Sequence, residues 1–484
     1  MNAVFVPQDT KAALQALPLK DCSRSLYFDR YSRPDLAKDD RQRFFTEGFM
    51  AHSSPARVAG WVATLQSLPA DILHAQLQSR LLVNMAGGVM ENAGLCLDRF
   101  GLPYIPGSAV KGCARRAALA ALHEWCEAGG KPEHKPTGPD DPLAPCYAAF
   151  TTPAEMLAAI ARVFGWCEQD WSGRRDQSDF LWACGPNHRE VAQTAAQTLA
   201  AHFGWEIAEK HPDTPWKSLP NFAGSVSFLP AYPVDLDQPS KLDQPRKVDG
   251  LPLEVPPLGK LELDVVTCHH RDYYAGKSPT ATDTEEPVPV VFPAVAPGHV
   301  FAFAIARLRG ADAQIIQHAR TWLATGLSAF GLGAKTAAGY GWFDCSETIH
   351  NTVERTLLDC AERERAEKQR LAEEQRRKAE EAERLRQKQE REAALANLSG
   401  DERADKEIEL LTDQQFDAKV RAFCKEPKKG GPTEEQKKAI VRALRGPRLA
   451  YWQAFKTKAT KGELATVDQA IRQLSKAMNL GKMP

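Results

Sequence analysis

The densest chemical potential in this chain lies in GLSAFGLGAKTAAGYGWF, residues 326–343. Gly331, Gly333, Gly339 and Gly341 fall within eleven residues, with Lys335 and Thr336 between them. Glycine admits positive φ and lets another chain approach its amides closely. A loop of exposed N–H groups with one lysine can hold a phosphate. It is not a P-loop, which needs glycine immediately before the lysine, where Ala334 stands. A tight hairpin without a ligand would use the same glycines.

A second cluster is LPYIPGSAVKGCARRAAL, residues 102–119. Pro106-Gly107 turns the chain, and Lys111, Arg115 and Arg116 follow in the first turns of a helix. Cations there oppose the helix dipole, and a bound anion or a neighbouring carboxylate would remove the penalty. Ordinary surface cations are the plainer reading. The third cluster is LELDVVTCHHRDYYAGK, residues 261–277. Asp264, His269 and His270 have the side chains for metal binding or general acid–base chemistry. Adjacent histidines on an extended chain point opposite ways, which makes a shared metal awkward. With Arg271, Tyr273, Tyr274 and Lys277 beside them, the imidazoles suit stacking and phosphate contact better. No metal site and no cofactor is expected.

These clusters need elements to hold them. Residues 108–130 read as a helix with Ser108 as N-cap and Gly129-Gly130 as the stop. Residues 311–331 read as a second helix ending at Gly331. LELDVVT (261–267) alternates as a strand does, and HVFAFAIARL (299–308) reads as a buried strand. Segments 131–145 and 233–260 read as loops. Neither period dominates over residues 1–345, so this span is taken as one α+β body with insertions.

Residues 361–392 change character, with Glu364/Lys368, Glu373/Arg377, Glu374/Lys378 and Glu380/Arg384 four apart. Each such pair adds ~0.2–0.5 kcal/mol to an exposed helix. Only Leu371 and Leu385 could serve an apolar seam, so a solvated single helix is favoured over a coiled coil. After Leu398-Ser399-Gly400 comes a small helical unit. Thr433 to Gln436 fits a capping box, and Gly446-Pro447 stops that helix. Tyr451, Trp452 and Phe455 share a face near Lys456, Lys458 and Lys461, a pattern that fits a small core better than a base-stacking surface. The expected division is 1–345, a charged helical spacer 346–398, and a basic helical unit 399–484.

The chain has 484 residues, with 62 Lys and Arg against 62 Asp and Glu. Neutrality hides an asymmetry. Residues 417–484 carry 16 Lys and Arg against 6 Asp and Glu, a net +10, so residues 1–416 carry −10. A basic tail suits an acidic partner, while the acidic body allows only local phosphate contacts. The 11 cysteines are scattered without a CxxC pair, as for reduced thiols. No apolar run long enough for a membrane span and no signal-peptide pattern is read, so a cytoplasmic location is expected.

IPGSAVKG followed by a helix, and a distant GLGAKTAAGYG loop, together resemble the RAMP superfamily of CRISPR RNA-binding proteins. CSRSLYFDRY (22–31), FAGSVSFLPAYP (222–233) and LDVVTCHHRDYY (263–274) further resemble the sixth RAMP subunit of Cmr-type (type III-B) effector complexes. The similarity covers about residues 24–343. Where this sequence has Cys268, that family usually carries proline. The resemblance implies a ferredoxin-like, RRM-related core of antiparallel strands with insertions. It implies assembly with other RAMP subunits along a guide RNA, near its 3′ end, and no catalysis by this subunit. By motif match, Gly331, Gly333, Lys335, Thr336 and Gly339 line or support the RNA path. Lys111 and Arg115 in the matched helix, and His269, His270 and Tyr274, are further RNA-contact candidates. The alternative is a metal-independent endoribonuclease that processes guide RNA. There, His269 or His270 acts as base and Lys111 or Lys335 stabilises charge. A third reading is a scaffold whose charged helix and tail bind protein.

Overall fold

The computed structural model describes residues 8, 12, 22–32, 36, 38–51, 61, 64–65, 67, 70–87, 90, 94–135, 138, 140–173, 178–207, 214–236, 245–284, 286–398 and 400–484. Most of the N-terminal stretch read for a signal peptide, the middle of the 233–260 loop and Ser399 lie outside the described residues. The chain divides into two units, Met1–Glu362 and Arg363–Pro484.

The first unit opens with α1 (Arg24–Asp29), α2 (Lys38–Phe49) and β1 (Ala70–Leu77). Next come α3 (Gly107–Glu127), α4 (Pro153–Phe164), β2 (Gly165–Trp166), α5 (Asp179–Cys184) and α6 (His188–Phe203). Short strands β3 (Phe222–Ala223), β4 (Val226–Phe228) and β5 (Tyr232–Pro233) follow. Then come β6 (Leu261–Cys268), a single turn α7 (Arg271–Tyr274), β7 (Val288–Val295), β8 (Val300–Arg307), α8 (Ala313–Thr325) and β9 (Phe343–Asp344).

The main sheet runs β4-β8-β1-β9, with β5 also against β8, and all its pairings are antiparallel. β1 and β8 pair from Ala70↔Ala306 to Gln76↔Val300. The apolar run of β8 is explained by two buried faces. Phe301, Phe303 and Ile305 join the main core with Leu73, Ala75 and Leu77 of β1. α3 and α8 cover that face with Val110, Ala114, Ala117, Trp322 and Leu323. Val300, Ala302 and Ala304 point the other way, into a second cluster with Leu65, Val234, Leu236 and Leu251. Ile349 and Val353, from the first turns of α9 (Glu347–Ala396), complete that cluster. Both faces of this sheet are therefore closed by the chain itself. β6 and β7 form a separate hairpin, paired from Leu261↔Val295 to Cys268↔Val288.

Several boundaries differ from the sequence reading. Pro106, not Ser108, holds the N-cap position of α3, and Ser108 lies inside the helix. Proline's fixed φ suits the extended N-cap conformation found there, and no side chain caps this helix. The second helix starts at Ala313 behind Asp312, whose carboxylate accepts from the Ile315 amide. Past Thr325 it loosens into a π-helical turn over Gly326–Phe330 before Gly331 ends it. Within the 131–145 loop a 3-10 turn forms over Pro132–His134, and a short helical turn, Ala144–Tyr147, begins at its end.

In α9 the ion pairs Glu364–Lys368 and Glu374–Lys378 form as expected. Glu380 instead pairs backwards with Arg376. Leu371 and Leu385 are exposed. The second unit adds α10 (Gly400–Glu409), α11 (Asp413–Arg421), α12 (Glu434–Arg445), α13 (Leu449–Lys458) and α14 (Glu463–Ala477). Thr433 and Gln436 do form a capping box. Phe416, Ile440, Trp452, Phe455 and Ile471 share one core, so the C-terminal aromatics are packed inside rather than offered to bases.

Candidate nucleic-acid interface

The glycine-rich loop is held from three sides. The Ala334 amide donates to the Leu82 carbonyl and the Gly341 amide to the Arg80 carbonyl, each at 2.8 Å. The Leu332 amide closes the loop on the Gly341 carbonyl at 2.8 Å. Trp342 adds a bond from Nε1 to the Thr336 carbonyl at 3.1 Å. Gly341 has φ 71°, and a Cβ there would lie 1.9 Å from the Leu332 carbonyl oxygen. Only glycine fits such an approach.

Much of the loop's amide set thus docks it onto residues 80–82 rather than facing outward. What it presents is the stretch between the anchors. Gly333, Ala337, Ala338 and Gly339 are exposed, and Lys335 and Thr336 are half-buried. Gly331 is buried at the loop's root. Lys335 adopts the left-handed region at φ 60°, and its ammonium sits 5.7 Å from the Phe292 ring centroid on β7.

The helix-opening motif reaches the same loop. Sγ of Cys113 donates to the Gly331 carbonyl at 3.8 Å, and the Arg116 guanidinium lies 4.5 Å from the Phe330 ring centroid. The other cations of α3 find partners elsewhere. Lys111 donates to the Phe164 carbonyl at 3.0 Å, at the C-terminal end of α4. That negative dipole end offsets the unfavourable position at the start of α3. Burial holds the Lys111 ammonium below its usual range, with Arg115 pushing the same way and Asp170 opposing. Arg115 pairs with Asp170 at 3.5 Å and with Asp179. The offsetting groups are therefore a helix terminus and two carboxylates, which sequence spacing could not locate. Arg115 and Arg116 also line a cleft of about 480 Å³ with His123, Trp182 and Phe330.

His269, His270 and Tyr274 occupy the tip joining β6 to β7. His270 is left-handed, at φ 56°, and its Nδ1 meets the Thr282 carbonyl at 3.0 Å. The two imidazoles are 6.3 Å apart with ring planes at 53°. Tyr274 is 76% exposed, and Arg271, Tyr273 and Lys277 are exposed beside it.

One contributor was missed from sequence. Arg80 bonds Asp264 at 3.2 Å and Glu262 at 3.3 Å, and the Tyr340 hydroxyl donates to Asp264. This triangle ties the glycine loop to the hairpin. Burial alone would raise the Asp264 carboxyl, but the Tyr340 hydroxyl, the Val265 amide and Arg80 hold it below its ordinary value. Burial and the same carboxylate push the Tyr340 phenol up to about 12. Arg80 lies in no recognisable motif, so no local signal marks it.

The first unit is thus an antiparallel α+β domain whose glycine loop is held between a helix and a β-hairpin. The chain belongs to the RAMP superfamily, whose family profile matches residues 86–344. It is 27% identical over 283 residues to the CRISPR system Cmr subunit Cmr6 of Pyrococcus furiosus, covering 57% of this chain and 68% of that protein. Among solved structures, a chain of the type III-B Cmr-beta complex bound to cognate target RNA is 16% identical. It covers 65% of this chain and 77% of that one, with a TM-score of 0.33. The crystal structure of Cmr6 from Pyrococcus furiosus is 23% identical, covering 58% and 99% respectively, with a TM-score of 0.25. Among the described residues, no helix is long and apolar enough to cross a membrane.

Proposed function

We propose that this chain is a non-catalytic RNA-binding subunit of a type III-B CRISPR effector complex, contacting guide RNA near its 3′ end and neighbouring RAMP subunits. The observation that carries this reading is the junction of the glycine loop with the β6–β7 hairpin. It holds Lys335 over β7 while leaving Gly333 and Ala337–Gly339 open. The likeness to a Cmr subunit supports the choice of complex.

The proposed core is ferredoxin-like. Order β9-β1-β8-β4, with α3 following β1 and α8 following β8, is that of two interleaved βαβ units. An RRM reads bases on its open sheet face. Here that face is covered by Val234, Leu236, Ile349 and Val353, so RNA contact falls to the loop and hairpin. From Asp264 to His269 is five residues, about 17 Å along an extended strand. Lys335 near mid-hairpin and the tyrosines at its tip would flank a single strand over that distance. Asp283 and Glu286 are also exposed near the tip, so ring stacking contributes more there than charge. A phosphate contact at Lys335 and stacking at the tip both tolerate any base, as binding to a variable guide requires.

The ribonuclease alternative gains no specific support. Its components are anchored on different elements: Lys111 at the end of α4, Lys335 over β7, and His270 within the hairpin tip. In this reading residues 1–345 are the RAMP domain, 346–398 a spacer and 399–484 a basic appendage. The test is to purify the tagged protein from its host and sequence the co-purifying RNA. Short RNAs sharing a constant 5′ tag, together with other RAMP proteins, are expected. A protein free of RNA, or one that cleaves repeat RNA without metal and loses this in His269→Ala or His270→Ala, would sink the proposal.

A further inference from the structure

Away from the loop and hairpin, the structure gathers a second set of capable side chains. His74 lies within β1, and His350 and Glu354 sit four residues apart on the first turns of α9. Each offers one ligand atom, and the three atoms lie within 4.8 Å of one another. His74 is 4% exposed, and its Nδ1 is buried with no hydrogen-bond partner among the described residues. An unpaired buried nitrogen is costly and calls for a physical account. The two imidazoles stack with centroids 5.4 Å apart at 25°. Nε2 of His350 faces Oε1 of Glu354 at 3.5 Å.

We propose that His74, His350 and Glu354 bind a divalent cation of the zinc class, fastening the base of the long helix to the central strand of the sheet. Two imidazoles and one carboxylate are a ligand set that zinc accepts, with the fourth position left to water. His74 is buried and its Nδ1 has no hydrogen-bond partner among the described residues, so no competing contact has to be broken at that atom. The nearby Arg320 charge is taken up by Asp71 at 2.5 Å. Ligands at 2.0–2.1 Å in a tetrahedron are about 3.3 Å apart, so the cluster must contract by about 1.5 Å. Glu354, half-exposed, is free to make that adjustment by rotamer change. Binding through Nε2 puts the His350 proton on Nδ1 and gives up its contact with the His74 amide. At 3.4 Å that contact is at the long limit of hydrogen bonding. Ile349 and Val353 already pack this stretch of helix on the sheet. The cation adds a polar clamp between them.

The test is a Zn²⁺ titration of the chelator-stripped full-length protein, repeated with Co²⁺ as an optical reporter. One equivalent of Zn²⁺ is expected to bind. The Co²⁺ form should show visible bands of a nitrogen- and oxygen-ligated site and no thiolate charge-transfer band. Glu354→Gln and His350→Ala should each weaken binding by more than the about 10–100-fold that losing an outer partner costs. Glu354 is exposed enough that its glutamine variant should keep the fold, which circular dichroism checks. Failure to bind one equivalent overturns the proposal. So does a thiolate signature, or binding unchanged in the folded Glu354→Gln variant.

Discussion

At the scale of single residues, Lys335 and Gly341 separate binding from folding. Lys335 is half-buried, with its ammonium 5.7 Å from the buried Phe292 ring, so on the proposed function Lys335→Ala should weaken guide retention while the protein still folds with a melting temperature close to the wild type. Loss of one phosphate contact should flatten the salt dependence by about one unit of slope. Equal guide occupancy in wild-type and variant complexes would refute the role. Gly341→Ala should do the reverse and destabilise the protein by roughly 1–3 kcal/mol or more, because positive φ and a carbonyl 1.9 Å from the new Cβ both oppose it. Thermal denaturation reads this directly. Asp264 gives a pH prediction. Its folded-state value lies below the ordinary 3.8, so its contribution is complete above that value and is lost as pH falls through the depressed one. Asp264→Asn should therefore remove part of the acid-side slope of stability. An unchanged slope would show that the Tyr340–Asp264–Arg80 triangle does not fasten the loop.

At the scale of elements, the hairpin tip and the long helix make opposite demands. The tip exposes two tyrosines, so Tyr273→Ala with Tyr274→Ala should lower RNA affinity by about 1–3 kcal/mol per stacked base while leaving far-ultraviolet circular dichroism intact. A gel-shift titration that finds no loss would move the RNA path away from the tip. The long helix exposes Leu371 and Leu385 among i,i+4 ion pairs. For a single solvated helix, Leu371→Ala with Leu385→Ala should change neither helicity nor sedimentation. A drop in sedimentation coefficient would instead reveal a coiled-coil partner. The β6 strand and the long helix were legible beforehand, whereas β7 and its pairing into a hairpin were not. Strand alternation, helix stops and the Thr433 capping box act within a few residues, and the structure contains them. The start of α3 was misread because Ser108 looks like a cap, whereas Pro106 already fixes the backbone there.

At the scale of the whole molecule, the structure moves the place where the chain can be cut. The change in composition suggests removing residues 352–484. Val353, however, is buried against the sheet with Ile349, and the boundary between the two units falls after Glu362. A chain ending at 362 should fold with the melting temperature of the first unit, and one ending at 351 should lose stability by opening the second sheet face. Equal stability of the two truncations would show that α9 does not seal the core. The second unit has its own core around Trp452 and Ile440, so its basic surface can be tested in the 362 truncation by measuring assembly with the other subunits.

The sequence by itself determined the strands near 261–267 and 299–308, the helices near 108–130 and 311–331, the long charged helix, the basic tail and the motifs of the RAMP superfamily. All of these depend on residue period, capping or charge within a short window. Only the tertiary structure decided what the candidate residues touch. Lys111 meets a carbonyl 53 residues away, Arg115 a carboxylate 64 residues away, and Tyr340 a carboxylate 76 residues away. It also closed both faces of the main sheet, one against α3 and α8 and the other against Val234, Leu236, Ile349 and Val353. Such contacts are set by how layers pack, and no local spacing encodes them.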